Sequence, residues 1–316
     1  MNMTDRAHST VAIIGAGLIG RSWAIVFARA GWRVKLTDVS FEARGAASRL
    51  IAGGLEALVE AGLLQDAKAT SARVSIVPSV AEAVARADIV QECIAEKLEA
   101  KREIFALLDP TNEPTTLLAS STSAILPSSF TAELAGRARC LVAHPVNPPH
   151  LVPLVELCGA PWTTEDCVKR AHAIYTSVGQ VPIVVRRETE GFVLNRLQGA
   201  LLSEALRLVG EGIVTPQDLD KTVKDGLGRR WSFMGPFETI DLNAPGGIAD
   251  YCSRYGGFYR RVASHPPSAK VWDQDWVTGI TNAWGRRTEH TLKERSAWRD
   301  QRLAALRVHL SEQAQE

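Results

Sequence analysis

The sequence predicts an α/β protein: an N-terminal Rossmann-like, doubly wound parallel sheet over residues 1–190 and an all-α region over residues 191–316. Three features predict it. Short apolar runs alternate with helical periods through the first half, a glycine-rich turn joins the first such run to the first helix, and beyond Glu190 the apolar residues recur only at helical spacing.

The first strand is "TVAII" at residues 10–14, and Gly15-Ala16-Gly17-Leu18-Ile19-Gly20 comes at once after it. "RSWAIVFARAGW" then carries Trp23, Ile25, Val26, Phe27 and Ala30 on one helical face, and Gly31 stops the helix. A second strand, "RVKLTD", ends in Asp38. Helical "EARGAASRLIAGGLEALVEAGLL" precedes strand "RVSIV", "VAEAVARA" precedes "DIVQECI", and "LEAKREIFALLD" precedes "TTLLAS". Strands separated by helices make βαβ units and a parallel sheet, whose ligands bind at the carboxyl ends of the strands. Glu96, Ser120 to Ser123 and His144 all fall at or just after such ends and so belong on one rim.

The stretch "AHPVNPPHLVPLVEL" at residues 143–157 holds Pro145, Pro148 and Pro149, which lack backbone donors and fix φ, so it reads as a stiff loop between the strands "CLVA" and "LVPLVELC". His144 then leaves one strand end and Glu156 stands on the next strand, an arrangement that suits a base and its orienter. After strand "QVPIVV" and the charged "RRETE", Val193, Leu194, Leu197, Leu201, Leu202, Leu206 and Val209 outline one long helix, with Asn195 one turn in, toward a cleft where substrate is expected.

Each glycine of the turn has a mechanical task. Gly15 permits the tight bend, Gly17 lets a pyrophosphate approach the backbone, and Gly20 lets helix and strand pack closely, while the helix end at Leu18 and Ile19 offers free N–H groups. Asp38 stands 23 positions after Gly15, where an acid meets ribose hydroxyls and repels a 2′-phosphate, and no arginine directly follows it. The expected cofactor is therefore NAD.

A chain of 316 residues is comfortable for two domains, and 46% hydrophobic with 22% charged residues is ordinary for a soluble globular protein. A formal net charge of +1 gives no overall field for nucleic acid or anionic lipid, and no apolar run approaches the roughly 20 residues that span a bilayer. "MNMTDRAHST" has the character of neither a secretory signal nor a transit peptide. Cys93, Cys140, Cys158, Cys167 and Cys252 are scattered without C-x-x-C spacing, so neither a disulfide framework nor a metal site is expected and a reducing cytosol fits.

Together these motifs resemble the 3-hydroxyacyl-CoA dehydrogenase superfamily over nearly the whole chain: "GAGLIG" with Asp38, "SSTSAI", "AHPVNPP" with a glutamate twelve residues after the histidine, and "GFVLNRL". The segments "GRSWA", "GLGRRWSFMGPFETIDLNAPGG", "YCSRY" and "AWRDQRLAAL" resemble its lambda-crystallin branch, whose enzymatic member is L-gulonate 3-dehydrogenase. The resemblance implies that His144 is the catalytic acid/base, Glu156 its partner, and Ser123 and Asn195 polar contacts to the reacting oxygen. It further implies that Glu96, Lys101 and Asn147 line the nicotinamide end of the cofactor, and that two copies pair through their helical regions. The chemistry is consistent with this, since an imidazole of ordinary pKa about 6.5 can exchange a proton in either direction near neutrality.

The sequence departs from the acyl-CoA enzymes in two places. Where they resemble one another in a lysine-rich helical pair, "ASRLIAGGLEALVEAGLLQDAKAT" has only Arg49 and Lys68 against Glu56, Glu60 and Asp66, little charge for a CoA nucleotide. "GLGRRWSFMGP" is longer and more basic than the glycine-rich turn of the acyl-CoA enzymes, and Arg230, which matches an arginine of the branch, suits bidentate capture of a carboxylate, with an interdomain or dimer salt bridge as the alternative. The expected substrate is a small hydroxy acid, with L-gulonate first, L-carnitine or a 3-hydroxyacyl-CoA as alternatives, and a crystallin-like NAD-binding protein without turnover as the reading from another class.

Overall fold

A computed structural model describes residues 9–285 and 287–313. The leader expectation falls outside that range for all but Ser9 and Thr10. By contact the chain divides into two units, Met1–Asn195 with Ser296–Glu316, and Arg196–Arg295. The strands are β1 (Thr10–Ile14), β2 (Arg33–Thr37), β3 (Val74–Ile76), β4 (Ile89–Glu92), β5 (Leu117–Ser120), β6 (Cys140–Pro145), β7 (Leu154–Gly159) and β8 (Val181–Val185). The longer helices are α1 (Leu18–Arg29), α2 (Phe41–Glu60), α3 (Leu98–Thr111), α4 (Glu165–Ser177), α5 (Leu194–Gly210), α6 (Gly247–Ala263), α7 (Gln274–Trp284) and α8 (Glu289–Gln313).

The first unit is one eight-stranded sheet in the order β3-β2-β1-β4-β5-β6-β7-β8, with helices on both faces, the expected α/β class. Successive residues of β1 feed the two faces: Val11 and Ile13 join one core cluster, Ala12 and Ile14 the other. On the first face Trp23, Phe27, Trp32 and Tyr175 are fully buried, with neighbouring ring centroids 5.2–6.3 Å apart. Removing 150–250 Å² of aromatic surface from water contributes roughly 4–6 kcal/mol per ring as an upper figure, against helix propensities of at most about 0.7 kcal/mol per residue. Packing of these rings therefore sets where α1 lies. Its end is local: Gly31 takes φ 92°, its N–H reaches Ala28 O at 3.0 Å and the Trp32 N–H reaches Phe27 O at 3.1 Å, the paired bonds of a Schellman cap.

The sheet is parallel except at one place. Strands β1 to β6 run parallel, but β7 pairs antiparallel with β6, and β8 runs parallel to β7. The link between β6 and β7, residues 146–153, is too short for a helical crossover, so the chain must turn back beside itself. Contrary to the expected loop, His144 and Pro145 lie inside β6, because β6 outruns β5, whose pairing ends at Ser120 opposite Val142. Pro145 therefore has no β5 partner requiring its missing N–H.

The C-terminal stretch was expected with the helical region, yet from Ser296 onward it groups with the sheet unit, where Ala304 is buried in the first core cluster. Arg307 of α8 donates to the carbonyl of His150 at 2.9 Å.

The second unit is entirely helical: α5 from Arg196, α6, α7 and shorter helices between them. Among its described residues only Thr239, Ala244 and Val271 are buried, while Phe233, Phe237 and Leu242 are each more than 60% exposed. Among the described residues no helix is long and apolar enough to cross a membrane.

Candidate active site

The sheet reverses its order of winding between β1 and β4, and the residues just beyond the ends of these strands face one another there. A cavity of about 880 Å³ opens at this point, lined by Gly15, Gly17, Thr37, Asp38, Arg44 and Ile94 among others. A Cβ added to Gly20 would lie 1.9 Å from the Gly15 carbonyl oxygen, and one on Gly15, whose φ is 114°, would lie 2.5 Å from Cys93 O. A Cβ on Gly17 would meet nothing within 4 Å. The turn is thus closed against protein at Gly15 and Gly20 and open at Gly17, the shape a pyrophosphate needs. Leu18, half exposed, and Ile19 begin α1 directly beyond it.

Asp38 lies directly after β2 and accepts the Ala16 N–H on one oxygen at 2.7 Å and the Ser40 N–H on the other at 2.8 Å. Each oxygen keeps a lone pair for a sugar hydroxyl. Arg44 donates to the Asp38 carbonyl and lines the same cavity. It was not legible as a site residue, because it lies six positions beyond Asp38 and is brought back by the first turn of α2.

Farther along the carboxyl edge, β4 ends in Glu92, fully buried. Its carboxylate accepts from Ser120 Oγ at 2.5 Å, from Ile94 N at 2.7 Å and from Lys101 Nζ at 3.0 Å. Lys101, 1% exposed, also reaches Glu96 Oε2 at 3.4 Å. Glu96 in turn collects the Ser123 loop: its Oε1 accepts from Thr122 Oγ1 at 2.5 Å, Ser123 N at 2.9 Å and Ala124 N at 3.1 Å. Burial pushes the Glu96 carboxyl up, but Thr122, Lys101 and the two backbone N–H groups outweigh it and hold the carboxyl below its ordinary value. The sequence points to Glu96, Lys101 and Ser123 singly. Glu92, which holds Lys101 and Ser120, reads there as part of a strand, although a carboxylate inside the apolar run "DIVQECI" is itself a signal.

His144 and Glu156 are directly opposite on the antiparallel ladder of β6 and β7, so both side chains leave the same face of the sheet. Nδ1 of His144 lies 2.8 Å from Glu156 Oε2, with the imidazole 6% exposed and the carboxylate fully buried. The other oxygen of Glu156 accepts the N–H groups of Val193 at 2.9 Å and Leu194 at 3.0 Å, at the start of α5. Burial again raises this carboxyl, and the bonds from His144, Leu194 and Val193 overcome it, so it is held below 4.5. One residue farther, Asn195 is the second residue of α5, not one turn in, and its Nδ2 donates to Ser123 O at 2.9 Å. A continuous set of contacts therefore runs from Lys101 through Glu96 and Ser123 to Asn195, and through the start of α5 to Glu156 and His144. Asn147 is exposed in the link after β6, in a cis peptide bond with Pro148. Arg230 is exposed in the helical unit, with no ion pair to a described carboxylate, whereas Arg229 lies 3.7 Å from Asp225. Among the described residues no group of three metal-ligating side chains forms.

The NAD-binding domain of 3-hydroxyacyl-CoA dehydrogenase matches residues 10–189, and the C-terminal domain of the same family matches residues 191–300. The chain belongs to the 3-hydroxyacyl-CoA dehydrogenase family. Members of this family are NAD-dependent oxidoreductases acting on CH–OH groups, and this one is such an enzyme. It is 42% identical to lambda-crystallin of Oryctolagus cuniculus over 98% of this chain and all of that protein. It is 34% identical to L-carnitine dehydrogenase of Pseudomonas putida over 94% of this chain and 92% of that one. A solved structure of 5-formyl-3-hydroxy-2-methylpyridine 4-carboxylic acid 5-dehydrogenase, an NAD-dependent dismutase, superposes with a TM-score of 0.84 at 27% identity, covering 96% of this chain and 98% of that one. For a 3-hydroxyacyl-CoA dehydrogenase family member the cavity beside Gly17 fits the dinucleotide: the open turn would take the pyrophosphate and Asp38 the adenosine ribose.

Proposed function

We propose that the protein oxidises the 3-hydroxyl of a small hydroxy acid, with L-gulonate, giving 3-dehydro-L-gulonate, as the leading substrate. The observation that carries the reading is the buried 2.8 Å contact between His144 Nδ1 and Glu156 Oε2 at the carboxyl edge of an NAD-binding sheet. NAD supplies the hydride acceptor when bound. With Nδ1 committed to Glu156, Nε2 of His144 is the atom left to take the substrate's hydroxyl proton. Glu156 stabilises the imidazolium that results and keeps the proton on Nδ1 in the resting state. Ser123 and Asn195 hold the substrate oxygen while its charge changes, and Glu96, Lys101 and Asn147 border the nicotinamide end. Arg230, with no ion pair to a described carboxylate, takes the substrate's carboxylate.

Against a CoA thioester stands the sparse positive charge of α2 and of the segment after it up to Thr70, with Arg49 and Lys68 facing Glu56, Glu60 and Asp66. L-carnitine is the second reading, favoured by Arg230, Trp231 and "FMGPF" and by the 34% identical relative, an aromatic wall being able to face a trimethylammonium group. The test is the appearance of NADH absorbance with L-gulonate, L-carnitine and a 3-hydroxyacyl-CoA in parallel. Turnover of the thioester alone would end the hydroxy-acid reading, and NAD binding without turnover of any would favour a crystallin-like role. The exposed apolar side chains of the helical unit support a homodimer, and five unpaired cysteines support a reducing cytosol.

A further inference from the structure

The chain enters α5 through two successive residues with positive φ, Gly191 at 76° and Phe192 at 48°. Glycine adopts this conformation freely, but a side chain with a Cβ does so only when its surroundings impose it, and such residues gather at functional sites. Phe192 is fully buried, and its ring centroid stands 5.6 Å from that of the His144 imidazole, with the planes tilted by 38°. Directly after it, the N–H groups of Val193 and Leu194 converge on one oxygen of Glu156, at 2.9 and 3.0 Å. Consecutive N–H groups that converge in this way form a concave anion seat, and the left-handed turn at Phe192 is what aims them.

The two halves of this residue act on the two halves of the dyad. Its backbone turns the start of α5 onto Glu156, and its ring packs tilted beside the His144 imidazole. Glycine or asparagine would serve the backbone with less strain. A phenyl ring there therefore requires a reason in the ring itself. We propose that Phe192 is a positioning residue for the acid/base pair: it confines the imidazole to the orientation in which Nδ1 meets Glu156 and shields that bond from water. The inference rests on the dyad reading above.

Phe192→Gly keeps the backbone geometry and removes the cover, whereas Phe192→Leu keeps apolar cover on the strained backbone. The expected result is a fall in kcat of at least about tenfold for Phe192→Gly, recovery to within about threefold of the parent for Phe192→Leu, and NAD affinity within about twofold in both. In the ligand-free protein, the ¹⁵N signals of the His144 ring should report a single Nδ1-protonated form in the parent and in Phe192→Leu, and an averaged form in Phe192→Gly. Should Phe192→Gly fail to fold, Phe192→Ala against Phe192→Leu makes the same comparison. An unchanged kcat in the glycine or alanine variant, or equal losses in the covered and uncovered variants, would overturn the proposal. His144→Ala in the same assay separates the two levels: if it retains turnover the dyad reading fails, and if only it is inactive Phe192 has no positioning role.

Discussion

Replacing Glu156 by Gln changes the site by one charge and almost no volume. In the parent, Oε2 faces His144 Nδ1 at 2.8 Å and Oε1 holds two backbone N–H groups. Glutamine can keep the backbone bonds with its carbonyl, but its NH₂ must then face Nδ1. This favours the tautomer protonated on Nε2, which cannot accept the hydroxyl proton. The charge effect adds to this. With centres about 4 Å apart and an effective dielectric constant of about 20, the carboxylate stabilises an imidazolium by about 4 kcal/mol, or about three decades in rate at 1.36 kcal/mol per decade. We expect kcat for the best hydroxy acid to fall about 10³-fold in Glu156→Gln, measured by NADH absorbance at saturating NAD, while NAD affinity from a fluorescence titration stays within about twofold. A loss smaller than about tenfold, or one matched by lost NAD affinity, would refute the assignment of Glu156 as the partner of His144.

Asp38→Ala removes the carboxylate from the adenosine end but leaves Arg44 lining the same cavity, so the KM for NAD should rise at least about tenfold and that for NADP should fall, read by comparing the two cofactors. Arg230→Ala should raise the KM for the hydroxy acid at least about tenfold with a smaller change in kcat, and an unchanged KM would free the residue from substrate binding. In stability against pH, His150 has its pKa pushed down to about 4 by burial and by Arg29, Arg307 and Arg299. Its native form thus binds less proton than the unfolded chain, and its contribution, complete above about 6.5, is lost as pH falls toward 4. Glu156 and Glu96, held below 4.5, act with the same sign but only as pH drops beneath that value. The denaturation midpoint should therefore decline in two stages on acidification, and His150→Gln should remove the upper one.

The nucleotide half of the site was legible because its determinants are local. A strand, three glycines, a helix and an acid 23 positions on from Gly15 lie in one βαβ unit, and their spacing carries the geometry. His144 and Glu156 were legible as a pair for a similar reason: twelve residues across a short turn bring two strand positions opposite each other. The reversal of β7 was not, since apolar runs announce a strand but not its direction. Phe192 and Glu92 escape a reading of the sequence because their importance lies in what surrounds them: the one looks like core at a helix start, the other like a strand residue.

By itself, then, the order of residues determined the alternating fold, the glycine turn and the facing of His144 and Glu156 across neighbouring strands, all of which depend on contacts between residues near in sequence or on the periodicity of apolar burial. Only the folded chain decided that Glu92 and Lys101 are buried together and that Lys101 also reaches Glu96, that Asn195 is bonded to Ser123 72 positions away, and that the C-terminal helix returns to the sheet unit at His150. Those are contacts of long sequence separation, fixed by how whole elements pack rather than by the preferences of any short stretch, and no local pattern encodes them.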